Sequence, residues 1–92
     1  MVLEIVSPEA TLFQGEVTSV VVPGSQGSFQ VLNNHTPIVS TLASGKAKIE
    51  GKLDIAPAFQ AYFTQKGNET FLALNNGGTL EIRNNKVILF VD

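Results

Sequence analysis

Ninety-two residues fit one domain with a modest core. Apolar residues make up 43% of the chain and charged residues only 15%, below the ~25% of an average soluble domain, so either partners cover part of the surface or two sheets are unusually well filled. Eight acids and six bases are spread thinly for a net charge of −2, which excludes the basic runs that bind nucleic acid, and the lack of cysteine excludes disulfides and thiolate metal sites.

The N-terminus, MVLEIVSPE, has neither a basic region nor a long apolar run, so it reads as a strand from the second residue and not as a signal peptide. Ser7-Pro8 closes that strand, and Phe13-Gln14-Gly15 reads as a second turn. A strand then runs through EVTSVVV to Pro23-Gly24, and another covers SFQVL. In the second, Phe29 and Val31 face one way and Ser28 and Gln30 the other. Asn33, Asn34 and Pro37 predict a rigid corner around His35. From Lys46 to Asp54, charged even positions alternate with Ala47, Ile49, Gly51 and Leu53, the pattern of a half-buried strand.

PAFQAYFTQ, Pro57 to Gln65, fits one helical turn or an alternating strand, and is read here as strand. Asn75-Asn76-Gly77-Gly78 is a turn, Leu80 and Ile82 alternate with Glu81 and Arg83, and Asn84-Asn85 suits a two-residue hairpin because asparagine tolerates positive φ. The last strand, KVILFV, is apolar on both faces and is expected to be buried on both. Short strands with frequent turns and no long helix predict one antiparallel sandwich or barrel over residues 1–92. The longest apolar runs fall far short of the ~20 residues that span a bilayer, so no direct membrane insertion is expected.

Chemistry is scarce. Gly24-Ser25-Gln26-Gly27 lacks the glycine spacing and the Lys-Ser/Thr of a phosphate loop. One histidine and no cysteine make a metal site improbable, and no nucleophile elbow or paired carboxylates can be read. Neither catalytic residues nor a cofactor or small-molecule substrate is expected. The stretch from Gly24 to Pro37 reads either as a structural connection or as two presented surfaces, a tip at Gly27–Gln30 and a corner at His35–Ser40, held by the sheets behind them. A free-standing sandwich that binds carbohydrate is the alternative, weakened by the absence of Trp and the single Tyr.

The ordered set Ser7-Pro8-Glu9, Phe13-Gln14-Gly15-Glu16-Val17, Pro23-Gly24-Ser25-Gln26-Gly27, Asn34-His35-Thr36-Pro37-Ile38, Asn76-Gly77-Gly78 and Asn85-Lys86-Val87 resembles the epsilon subunits of F-type ATP synthases, called delta in mitochondria. The resemblance implies an all-β fold: a flattened, jelly-roll-like antiparallel β-sandwich of about eight to ten short strands. It implies a non-catalytic rotor part of the central stalk, peripheral to the cytoplasmic side of a bacterial inner membrane, with the gamma subunit and the c-ring as partners. By the same resemblance Gly27, Ser28, Phe29 and Gln30 face the c-ring, and Ser7, His35, Thr36 and Ser40 face gamma.

The sequence departs from that pattern in places. Ser28 and Gln30 stand where an acid and a glycine are frequent in the family, so a charge-assisted contact to a basic c-ring loop is expected to be either absent or replaced by neutral hydrogen bonds. Asn33-Asn34 replaces Pro-Gly, and the segment from Glu50 to Thr70 is longer than the corresponding hairpin. Many relatives continue into a two-helix inhibitory arm; the sequence stops at Asp92, so no C-terminal helical hairpin is expected.

Overall fold

The computed structural model describes every residue, Met1–Asp92. Ten strands form in chain order: β1 (Val2–Val6), β2 (Thr11–Glu16), β3 (Ser19–Gly24), β4 (Gly27–Val31), β5 (Ile38–Leu42), β6 (Gly45–Glu50), β7 (Phe63–Lys66), β8 (Glu69–Leu74), β9 (Gly78–Arg83) and β10 (Lys86–Val91). A short 3₁₀ helix, Pro57–Tyr62, precedes β7. The strands join as β2-β1-β10-β9-β5-β3-β6-β8-β7, with β4 beside β3. β3 pairs with β6 through Ser19–Val21 but with β5 only at Gly24, opposite Leu42, so the sheet bends over there. The result is a curled sandwich with layers β2-β1-β10-β9-β5 and β4-β3-β6-β8-β7.

All pairings are antiparallel except one: β1 runs parallel to β10. The two ends of the chain thus meet side by side, a long-range pairing that no local turn signal announces. Period-two alternation sends Leu3, Ile5, Leu80, Ile82, Val87 and Leu89 inward from one layer and Val20, Val22, Ala47, Ile49, Leu72 and Leu74 from the other. These belong to one core of 19 buried apolar residues. Truncating one of the leucines to alanine is expected to cost about 2–5 kcal/mol.

Several sequence expectations are corrected. Phe13-Gln14-Gly15 is not a turn but the middle of β2, because the Phe13 ring lies over Gly15, where any Cβ would come within 2.9 Å of it. The strand expected from Glu16 to Val22 is broken at Val17-Thr18, which carries the chain from one layer to the other. Pro57 starts a 3₁₀ helix where a strand was expected: its fixed φ suits a first helical turn, and Phe59 and Phe63 reach back to the core. β10 buries Val87 and Leu89 only; Ile88 and Val91 are half-buried and Phe90 is 37% exposed. The Asn84-Asn85 hairpin forms as expected, with φ of 51° and 59°.

The long segment after β6 also finds a structural role. Ile55 is buried, and Leu53 and Phe59 pack against the core. Gln65 Nε2 donates to the Leu53 carbonyl at 3.3 Å and Gln60 Nε2 to that of Ile55 at 3.3 Å. The segment is therefore fastened to the core by its apolar side chains and to β7 by the Gln65 side chain. No helix is long and apolar enough to cross a membrane.

Candidate functional site

The expected c-ring residues sit on the β3–β4 hairpin. Its two-residue turn, Ser25-Gln26, is closed by Gly24 opposite Gly27, and Gly27 has φ of 127°. Two backbone bonds fasten the tip to β5: the Ser25 N–H donates to Thr41 O at 2.9 Å, and the Ala43 N–H to Pro23 O at 2.7 Å. Ser28 and Gln30 point outward; Gln30 Nε2 donates to Ser19 Oγ at 2.9 Å, which fixes its direction. Phe29 pairs with the fully buried Val22 and packs, half-buried, against the core. A Cβ on Gly24 would stand 2.8 Å from the Phe29 ring and 2.6 Å from Gly27 O, so the ring rests in space that glycine leaves free. Phe29 is a plug beneath the tip and Ser28 and Gln30 are its presented atoms.

The expected gamma residues do not form one cluster. Ser7 follows β1 and is spent on structure: its Oγ donates to Ala10 O and accepts from the Ala10 N–H, both at 3.2 Å, closing the β1–β2 turn. His35 and Thr36 lie at the opposite end of the same layer. The pairs Val6–Phe90, Val91–Gly78 and Gly78–Leu42 define the Ser7 end, while Ile38–Ile82, Arg83–Lys86 and Lys86–Val2 define the His35 end. The two ends are about 13–17 Å apart at the usual strand rise. Ser40, half-buried, shares its side with the buried Leu80 and so turns toward the core, its Oγ donating to Thr41 O at 3.2 Å.

The corner itself is tightly held. Asn33 Oδ1 accepts from the Met1 ammonium at 2.6 Å, Asn85 Oδ1 accepts from the Asn34 N–H at 2.8 Å, and the His35 N–H donates to Leu32 O at 3.2 Å. His35 Nδ1 is 2.8 Å from Thr36 O. A carbonyl only accepts, so this bond places a ring proton on Nδ1. The tension between αL backbone at Asn34, φ 61°, and the surrounding bonds is met by asparagine, which tolerates that region.

What joins Ser7 to His35 is the outer face of their layer, which sequence reasoning missed. Val39 is 73% exposed, and its row runs through Glu81 and Ile88 to Glu4. The next row joins Thr41, Thr79, Phe90 and Val6. The two rows are mixed: Val39, Ile88, Phe90 and Val6 stand among Glu81, Glu4, Thr41 and Thr79, and Lys86 Nζ lies 3.6 Å from Glu4 Oε1. The signal was present in KVILFV, whose second apolar face looks like a buried one but lies open in the single chain. Nowhere do three His, Cys, Asp or Glu side chains come together as metal ligands would.

The family model for the "ATP synthase, Delta/Epsilon chain, beta-sandwich domain" matches residues 1–92, the whole chain. The chain belongs to the ATP synthase delta/epsilon family. Among curated delta/epsilon relatives, the ATP synthase epsilon chain of Chlorobium limicola is 34% identical over 98% of this chain and 86% of its own length. That of Campylobacter curvus is 37% identical over 98% of this chain but only 59% of its own, and that of Leptospira borgpetersenii 36% over 98% and 59%. This delta/epsilon chain therefore spans about three-fifths of the length of the latter two.

Two solved assemblies contain the same fold. One is the central stalk and c-ring of the Tetrahymena thermophila mitochondrial ATP synthase, with TM-score 0.69, 14% identity, and coverage of 99% of this chain and 62% of that one. The other is the OSCP/F1/c-ring part of the Euglena gracilis mitochondrial ATP synthase, with TM-score 0.73, 17% identity, and coverage of 99% and 49%. At these identities the likeness is one of fold.

Proposed function

We propose that this chain is a non-catalytic rotor subunit in the central stalk of an F-type ATP synthase, bound to gamma on one side and resting on the c-ring, so that ion flow is coupled to ATP synthesis. In this reading it is held peripherally at the cytoplasmic side of a bacterial inner membrane by its neighbours. The observation that carries it is the uncovered outer face of β5, β9, β10 and β1, where the exposed Val39 and Phe90 and the half-buried Ile88 lie among Glu4, Glu81, Thr41 and Thr79, the mixed apolar and polar make-up usual of a non-obligate interface. A stable interface removes about 800 Å² from each partner. That is roughly a seventh of the 5272 Å² exposed by this chain.

Gamma covers that face from Ser7 to the His35–Thr36 corner, and therefore lies along the strands instead of touching one spot. Ser40 acts from beneath, by shaping β5. The β3–β4 tip, with Gly27, Ser28 and Gln30 outward and Phe29 as its support, seats on the polar loops of the c-ring through neutral hydrogen bonds. The chain performs no reaction; it transmits torque as a body packed at crystal-like density.

Gel filtration of the purified chain with gamma tests the reading. A complex is expected at micromolar concentration, and Val39→Asp is expected to weaken it at least tenfold, because an unpaired charge would be buried. Its own melting temperature should stay within a few degrees, since Val39 is 73% exposed in the free chain. Absence of a complex, or full binding by Val39→Asp, overturns the assignment.

A further inference from the structure

The other layer also has an outer face, formed by β6, β8 and β7. Reading across the register, one row is Lys46 and Ala73, the next Lys48, Phe71 and Thr64, and the third Glu50, Glu69 and Lys66. The 3₁₀ helix rises beside this face and sets Tyr62, 51% exposed, against it. Together Lys46, Tyr62, Lys66, Phe71 and the small Ala61 and Ala73 line most of a groove of about 330 Å³. Tyr62 is braced by Phe59, 6.4 Å away between ring centres, and Phe59 packs on the core. The aromatic wall is therefore fixed in advance of any ligand, which reduces the ordering cost of binding.

The charges differ in their commitments. Lys48 Nζ is held by Glu69 Oε2 at 3.4 Å, and the two other ion pairs of the molecule involve Lys86 and the Met1 ammonium. Lys46 and Lys66, both exposed and both lining the groove, have no carboxylate partner. They stand at opposite corners, two strands apart and four residues apart along β8, or about 10 Å by 13 Å at usual sheet spacings. Their backbone positions are thus about 16 Å apart on the diagonal, a spacing that two acidic side chains of one strand match. An extended polypeptide covers the diagonal in about five residues.

We propose that this groove receives an acidic, extended segment of a neighbouring subunit, with two carboxylates meeting Lys46 and Lys66 and an apolar side chain between them against Tyr62 and Phe71. The inference rests on the rotor reading only in requiring that the chain sit in the assembly; the surface used is the one facing away from the proposed gamma face.

The purified ATP synthase containing this chain is treated with a zero-length carbodiimide, which joins an amine directly to a carboxylate in contact with it, and the links are read by mass spectrometry. Lys48–Glu69 is the internal control. Lys46 and Lys66 are expected to link to acidic residues of one neighbouring segment, and their acylation by an amine-reactive acetate ester to fall at least fivefold relative to the separated chain. Formation of the control link alone, with acylation unchanged, overturns this inference and leaves the rotor reading standing. Protection without a link that vanishes when phosphate and nucleotide are washed out also overturns it, by assigning the groove to a small anion. Absence of the chain from the purified complex overturns both readings.

Discussion

At Phe29 the alternation of a single strand already shows on which side the ring packs. Phe29 and Val31 share a side, Val31 is fully buried, and the ring fills the space above Gly24. Because the ring is only half-buried, Phe29→Ala is expected to cost about 2–3 kcal/mol, below the range for a fully buried phenylalanine. That corresponds to a fall of roughly 10–20 °C in the melting temperature of a domain this size, measurable by calorimetry. An unchanged melting temperature with lost coupling would instead make Phe29 a direct c-ring contact. Gly24→Ala tests the other side of the same packing, since its new Cβ must push against the ring and the Gly27 carbonyl. A loss of about 1–3 kcal/mol is expected there. The roles of Ser7 and Ser40 were less legible: which hydrogen bonds a serine makes, and which face of a strand it occupies, depend on a register set by residues far along the chain.

Among the elements, those with turn chemistry of their own were the readable ones. Asn84-Asn85 names its turn because two positive φ values in succession exclude most other residues. Asn84→Gly is therefore expected to hold stability within about 0.5 kcal/mol, and Asn84→Val to lose about 1–2 kcal/mol to αL strain, as read by denaturant titration. Asn85 has a second task, since its side chain accepts from the Asn34 N–H. Asn85→Gly should preserve the hairpin but loosen the His35 corner, seen as faster amide exchange at Asn34 with the β9–β10 amides unchanged. Where turn chemistry was ambiguous, tertiary packing decided. Gly15 continues β2 because Phe13 covers it, and Pro57–Tyr62 winds into a 3₁₀ helix because Pro57 presets φ for a first turn and Phe59 packs on the core. β10 departs from expectation for a different reason: an outer sheet face and a buried one can carry the same apolar residues, and one sequence cannot separate them.

At the scale of the molecule, the two proposed rotor surfaces differ in position and in construction. The gamma face is a broad sheet surface of mixed apolar and polar residues, whereas the tip is a narrow hairpin whose outward atoms are polar. They are carried on a body of 32 × 25 × 23 Å and joined rigidly where Ser25 and Ala43 bond across to β5 and β3. Damage to one surface should therefore leave the other's binding intact. Ser28→Lys places a long cationic side chain at the exposed tip without disturbing the core, and is expected to weaken the tip's seating on the proposed c-ring loops while gamma binding stays within twofold. Val39→Asp should do the reverse. Combined, the two losses should add within about 0.5 kcal/mol, as distant sites with no shared partner do. In reconstituted vesicles the tip variant is expected to hydrolyse ATP normally but pump fewer ions per turnover, because torque reaches gamma and is lost at the ring. Should Ser28→Lys weaken gamma binding as strongly as Val39→Asp, the tip and the sheet face would belong to a single interface and the division of labour between them would fail.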